Sequence, residues 1–185
     1  IGEYKNRDQY LAESVAQVDR VAAMVNDVLR SGSVAEQALR QEKRLRVDRL
    51  LAEVVDDYTL LAKTRGMTFA VDARPTTIYA NRDMMRHVIS NLVSNAVRHG
   101  DAGSVIKLTC SQHELAIENA CKPLTKQQLQ HIFDPFYRTS GSAKQHASSS
   151  GIGLYTVKML LDTKGFDYNF TSHGQGMRFM IALPH

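Results

Sequence analysis

The sequence predicts an α/β sandwich: one mixed sheet with helices on one face, preceded by a long helix. Three observations carry this. Stretches of helical period alternate with stretches of strand period from Arg44 to Leu183. Two hairpins are spelled out, one turning near Gln112-His113 and one over Gly174-Gln175-Gly176. Ahead of both, Leu11, Val15, Val18, Ala22, Val25 and Leu29 alternate steps of four and three, which is a heptad seam. Such a seam needs cover, either from a second helix or from the chain's own globular part. The expected division is residues 1–43, helix and linker, and residues 44–185, a globular domain.

Taken in order, Ser31-Gly32-Ser33 interrupts the long helix, Val34 to Glu42 continues it in polar form, and the Arg-rich knot from Arg40 to Arg46 reads as a linker. Arg44 to Val47 alternates like a short strand. Asp48 is placed to cap a helix from Arg49 to Lys63, with Leu51, Val54, Val55, Tyr58 and Leu61 inward and Gly66 at its end. Met67 to Asp72 and Thr76 to Ala80 read as strands. Asn81 caps a helix that runs to His99 and stops at Gly100, with Val88, Leu92 and Ala96 inward. Ser104 to Ser111 and Glu114 to Glu118 form the first hairpin. Thr125 to Gln128 is a capping-box pattern opening a short helix to Phe133. Thr139 to Ser150 is almost wholly small and polar, and reads as a mobile loop. Gly151-Ile152-Gly153 then opens a helix with Leu154, Val157 and Leu161 inward and a stop at Gly165. Phe166 to Ser172 and Met177 to Leu183 close the chain, with Met159, Met177 and Met180 as core filler.

Composition narrows the function classes. At 43% hydrophobic and 23% charged, 185 residues can bury a sizeable core. The net charge of +4 is spread out, without an aromatic-interleaved basic stripe, which argues against nucleic acid as a partner. Cys110 and Cys121 lack metal-ligand spacing and read as small buried hydrophobes in a reducing compartment. No apolar run is long enough to cross a bilayer. The start at Ile1, without Met, marks the sequence as an expected piece of something longer.

Chemistry concentrates in Asn91 to Gly100, NLVSNAVRHG. With Val88, Leu92 and Ala96 inward, Asn91 and Asn95 fall together on one face and Arg98 joins them. Two carboxamides and a guanidinium offer oxygens to a hard cation and donors to phosphate. The plain alternative is an amphipathic core helix with a polar back. Glycine at the start of the next long helix, Gly151 and Gly153, frees backbone N–H groups for phosphate. Joined by a polar loop, the two features suit a lid over a triphosphate. Mg2+ would then sit on Asn95, with Asn91 as a second candidate.

These residues resemble the catalytic end of bacterial sensor histidine kinases, which have a Bergerat-type ATP-binding fold. NLVSNAVRHG looks like their N box, FDPFYR (Phe133 to Arg138) like the F box, SGIGL (Ser150 to Leu154) like the second glycine box, and GQGMRF (Gly174 to Phe179) like the last glycine motif. Ile1 to Leu29 looks like the second helix of the family's dimerisation hairpin. Ile1 to Lys5 and Glu118 to Leu124 resemble the vancomycin-resistance sensor kinases in particular. The resemblance implies Mg2+·ATP as cofactor and substrate. It implies transfer of the γ-phosphoryl group to a histidine upstream of Ile1, and relay to an aspartate of a response regulator. The parent protein is then a homodimer, with this part a cytoplasmic domain of a bacterial membrane protein. The implied catalytic residues are Asn91, Asn95 and Arg138. The implied nucleotide contacts are Asn95, Arg98, His99, Asn119, Phe136, Ser150, Gly151, Gly153 and Leu154.

Two departures stand out. Where the family usually has an Asp-x-Gly-x-Gly box, this chain has Asn119, Cys121 and Pro123. Asn119 can still accept from the adenine amino group, without the charge assistance worth roughly 1 kcal/mol. Ser149 and Ser150 stand where a Gly-Thr pair is common. Phe133 and Phe136 also read as packing anchors, and His87 as a bystander. A competing expectation is a non-catalytic binding or dimerisation module. A water-activating ATPase of the same fold is less suited, because Asn91 stands where such enzymes place a carboxylate.

Overall fold

The computed structural model describes residues 42–138, 151–174 and 176–184, with Leu11 and Val15 upstream. Chain order is β1 (Lys43–Arg46), α1 (Val47–Thr64), β2 (Thr68–Ala73), β3 (Thr77–Ala80), α2 (Arg82–His99), β4 (Val105–Cys110), β5 (Glu114–Ala120), α3 (Lys126–His131), α4 (Gly153–Lys164), β6 (Tyr168–His173) and β7 (Gly176–Ala182). The rest of the heptad seam, the polar helix before Glu42 and the loop 139–150 lie outside the described residues.

Five strands form a mixed sheet in the order β2-β4-β5-β7-β6. Only β2 and β4 run parallel, since the chain passes through β3 and α2 between them; β4-β5, β5-β7 and β7-β6 are antiparallel. β1 and β3 make a separate antiparallel pair. Strand alternation gives the large sheet two unlike faces. Ile106, Leu108, Leu115, Ile117, Phe179 and Ile181 are buried on one. On the other, Arg178 donates to Glu118 (2.9 Å) and Glu114 (2.7 Å) across the β5-β7 ladder. The predicted sandwich is therefore present, with α1 against β2 and α2 against β5, and α2 flanked by α1 and α4.

α2 is central because its apolar stripe is wide. Met84, Met85, Val88, Ile89, Leu92, Val93, Ala96 and Val97 are all buried, the larger ones worth about 1.5–3 kcal/mol each. Asn81 caps it as expected, its side chain accepting from the Met84 N–H at 3.0 Å. The capping box of Thr125 and Gln128 also forms, though α3 ends at His131, short of Phe133.

α1 departs from expectation. It begins at Val47 after Arg46, and no side chain caps it. Asp48 instead binds the Arg46 guanidinium (2.8 and 2.6 Å) and accepts from the Thr76 N–H (3.1 Å). The hydrogen bond from Arg46 leads in pulling its carboxyl down to about 2. Leu61 is 41% exposed, while Leu50 and Ala62 are buried. The chain doubles back over Ala62, whose carbonyl accepts from Arg65 and Met67, so that side of the last turn is the covered one. Core-filling methionines are Met67, Met84 and Met85; Met159, Met177 and Met180 are only half-buried. Cys110 and Cys121 are buried free thiols near opposite ends of the β4-β5 hairpin, and burial pushes both up.

Candidate functional site

Along α2, inward Val88, Leu92 and Ala96 are at most 4% exposed. Asn91, Asn95 and Arg98 are half-buried beside them and His99 is exposed. The Asn91 Nδ2 donates to the His87 carbonyl one turn back, at 3.0 Å. That bond fixes the amide's sense, because only the nitrogen can donate. The outward atom is Oδ1. It faces α4 so closely that a Cβ on Gly153 would lie 3.0 Å from it. The asparagine helix and the glycine-started helix therefore meet through the Asn91 carboxamide, with a bare glycine facing it.

α4 is open at that point. Its first internal bond runs from Thr156 N–H to Ile152 O (2.8 Å), so the amides of Gly153, Leu154 and Tyr155 stand outside the helix's own ladder. No side chain caps this end and its first turn carries no acid, leaving the positive end of the helix dipole for an anion. Leu154 packs its side chain on the core, so only its backbone is offered to the site.

The segment after α3 is tied to the same turn. Phe136 N–H donates to Gly151 O at 3.1 Å. Gly151 has φ +73°, and a Cβ there would lie 3.0 Å from the Phe136 carbonyl carbon and the Tyr137 oxygen, so both conformation and space require glycine. Phe133 is the anchor the sequence suggested: it meets Tyr168, Phe170 and Phe179 edge-on at 5.8, 6.1 and 6.3 Å. Phe136 is not. It is 52% exposed with φ +65°, a backbone state that bulky residues seldom adopt. Arg138 is half-buried next to it, while Ser150 lies outside the described residues.

Asn119 sits at the end of β5, half-buried. Its amide is a hydrogen-bond partner of the Cys121 thiol and approaches the Ala120 carbonyl at 3.4 Å. A Cβ on Gly100 would lie 3.4 Å from its Nδ2, and one on Gly176 would lie 2.9 Å from its backbone oxygen. The sequence marks Gly176 as a turn residue, with no sign of its close approach to Asn119. It missed Arg65 altogether, whose guanidinium reaches the end of α2 from 33 residues away.

Among the described residues there is no group of three or more His, Cys, Asp or Glu side chains that could hold a metal. Any divalent ion here would rely on carboxamide oxygens, phosphate and water, a donor set that suits Mg2+.

A family model described as histidine kinase-, DNA gyrase B- and HSP90-like ATPase matches residues 80–185. Sensor histidine protein kinase HK06 of Streptococcus pneumoniae is 32% identical over 184 residues, 99% of this chain and 41% of its own length. Sensor protein VanSB of Enterococcus faecalis is 25% identical over 190 residues, 100% of this chain and 42% of its own, so the vancomycin-type resemblance does not stand above that to other sensor kinases. The Acinetobacter baumannii histidine kinase AdeS shares the fold at a TM-score of 0.71 with 20% identity, covering 94% of this chain and 82% of that one. The chain thus spans about two fifths of the length of the curated relatives it matches. It belongs to the family of histidine kinase-, DNA gyrase B- and HSP90-like ATPases, as an ATP-binding module of the kind found in sensor histidine kinases.

Proposed function

We propose that this chain is the catalytic portion of a sensor histidine kinase, binding Mg2+·ATP between α2 and α4 and passing the γ-phosphoryl group to a histidine on a helical hairpin. The observation that carries this is the approach of Asn91 Oδ1 to Gly153. A carboxamide oxygen on one wall and an uncapped helix start on the other suit a metal-bound polyphosphate.

In this reading Asn95 would hold Mg2+ with Asn91 beside it, and the ion would supply positive charge against that developing on the phosphate oxygens. The backbone at Gly151, Gly153 and Leu154 cradles phosphate, and Ser150 is a contact on the family resemblance alone. Arg98 and His99 reach it from the last turn of α2, and Arg138 supplies a further positive charge to the γ-phosphoryl group. Asn119 accepts from the adenine amino group through Oδ1, and Phe136 walls the cleft. During transfer the bond from the γ-phosphorus to the β–γ bridging oxygen breaks, a phosphorus–nitrogen bond to the acceptor imidazole forms, and ADP departs. The domain itself supplies no nucleophile, so its contribution is positioning and charge.

Residues 1–43 fit the second helix of a dimerisation hairpin and its linker, giving a homodimer whose phosphohistidine serves a response-regulator aspartate. Leu11 and Val15, the described part of the seam, are 56% and 60% exposed, as a seam without its second helix would be. Among the described residues no helix is long and apolar enough to cross a membrane. The reading as a cytoplasmic domain of a membrane protein rests on the sensor kinase relatives.

The test combines this chain with a separately made hairpin carrying the acceptor histidine, and γ-labelled ATP. Acid-labile, base-stable label on the hairpin is expected. ATP binding without transfer would favour the binding-module reading, to which Asn119, Cys121 and Pro123 lend some support. No binding at millimolar nucleotide would remove both.

A further inference from the structure

We propose that Arg65 is a positioning residue for the nucleotide: it caps the C-terminal end of the asparagine helix from outside and so fixes the turn bearing Arg98, His99 and Gly100. This rests on the reading that the end of α2 faces nucleotide.

Arg65 is the residue that ends α1. Its guanidinium donates to the carbonyls of Val97, Arg98 (2.6 Å) and Gly100 (3.0 Å). The last carbonyls of a helix have no partner within it. Helices often solve this with a left-handed glycine just past the end, and α4 does so with Gly165 at φ +69°. α2 does not. Gly100 has φ −68° and ψ 156°, so the chain leaves extended, and its N–H satisfies only the Ala96 carbonyl, at 2.9 Å. A distant donor must serve the others. The planar fork of Arg65 reaches three oxygens at once, and its charge sits at the negative end of the helix dipole.

The backbone held in this way is part of the site. Gly100 is glycine for space, because a Cβ would lie 2.6 Å from both the Ala96 oxygen and Met67 Cε. The same Cβ would come within 3.4 Å of Asn119 Nδ2. Asp101 N–H donates to Ala120 O (2.8 Å) at the end of β5, and Gly103 N–H donates to Arg65 O (3.0 Å). Arg65 thus holds the turn 100–103 by side chain and by backbone. Arg98 and His99 on one side of that turn and Asn119 on the other share a single support.

The experiment measures Mg2+·ATP affinity by calorimetry and amide exchange over residues 98–103, on the whole 185-residue chain. Arg65→Met should weaken binding on the order of tenfold or more and speed exchange in that turn. Arg65→Lys should recover part of the affinity, because an ammonium can meet some of the carbonyls without matching the fork. Arg178→Met removes two ion pairs from the open face of the sheet, and should keep wild-type affinity whatever stability it loses. Unchanged affinity in folded Arg65→Met overturns the proposal, and so does an Arg178→Met variant that loses as much affinity for the same loss of stability. Should Arg65→Met fail to fold, Arg65→Lys decides: weakened binding supports the role and wild-type binding ends it. If the wild-type chain binds no Mg2+·ATP, the nucleotide reading falls, while exchange in the turn still decides whether Arg65 is its cap.

Discussion

Helices α2 and α4 pack side by side, yet they begin in opposite ways. α2 starts under its own side chain: Asn81 accepts from Met84 N–H, and Asp83 adds an acid to the first turn. α4 starts under none, with a glycine on each side of Ile152 and no acid in its first turn. Their far ends reverse the pattern, since α4 closes itself with Gly165 and α2 needs Arg65. A helix end completed by local sequence is structurally finished and indifferent to ligand. One left open near a carboxamide oxygen is available for an anion, and that contrast supports the proposed site more than any single motif does.

The sharpest way to break the comparison is to crowd the contact between the two helices. Gly153→Val puts side-chain atoms where Asn91 Oδ1 already lies 3.0 Å from a bare Cβ position. Mg2+·ATP affinity should fall on the order of a hundredfold, while Gly153→Ala, needing a shift of only a few tenths of an ångström, should lose about tenfold. Calorimetric titration of both variants checks this. If Gly153→Val bound nucleotide like wild type, the α2–α4 cleft would not be the site.

α1 sharpens the contrast from a third direction. Its start is held by neither a side-chain cap nor a ligand, but by Asp48 joined to Arg46 and to the Thr76 N–H. The Asp48 carboxyl is held at about 2 in the folded chain, below its ordinary value of 3.8, chiefly by the hydrogen bond from Arg46. A depressed carboxyl stabilises the fold fully above its unfolded value and loses that contribution as pH falls through the folded one. Denaturant midpoints should therefore hold steady against this group above about pH 5 and decline between about pH 4 and 2, with Asp48→Asn removing that part of the slope. An identical acid profile in Asp48→Asn would show that the pair contributes nothing.

The legible parts of this molecule were those fixed by neighbours in sequence. Asn81 before an apolar-periodic run, Thr125 three residues ahead of Gln128, and Val88, Leu92 and Ala96 at helical spacing were all read correctly because cap and stripe are local. Both hairpins were legible for the same reason. The errors came where a tertiary partner or a competing neighbour claimed the residue, whether near in sequence or far. Asp48 has the residue type and place of a cap, but Thr76 and Arg46 claim its oxygens. Leu61 has the right phase for the core, yet the chain folds back over Ala62. Gly100 reads as a helix stop, and the structure requires glycine there because Ala96 and Met67 take the space of a Cβ. In the candidate site, the Asn91 face and the Gly153 helix start were visible as motifs. The amide's orientation, and the support from Arg65, were not.

The smallest effect tests the finished end of α2. Asn81→Ala removes the acceptor for Met84 N–H and should lower stability by about 1 kcal/mol, the usual cost of losing such a cap. Ten residues of helix, about 15 Å, separate that cap from Asn91. Frayed residues at the start of α2 need not disturb the half that faces α4, because Met84, Met85, Val88 and Ile89 remain packed in the core between them. Thermal denaturation should report the loss, and Mg2+·ATP titration at a temperature where both proteins are folded should give the same affinity. A matching fall in affinity would mean that the two ends of α2 are mechanically linked. The division between a closed helix start and an open one would then be a matter of degree.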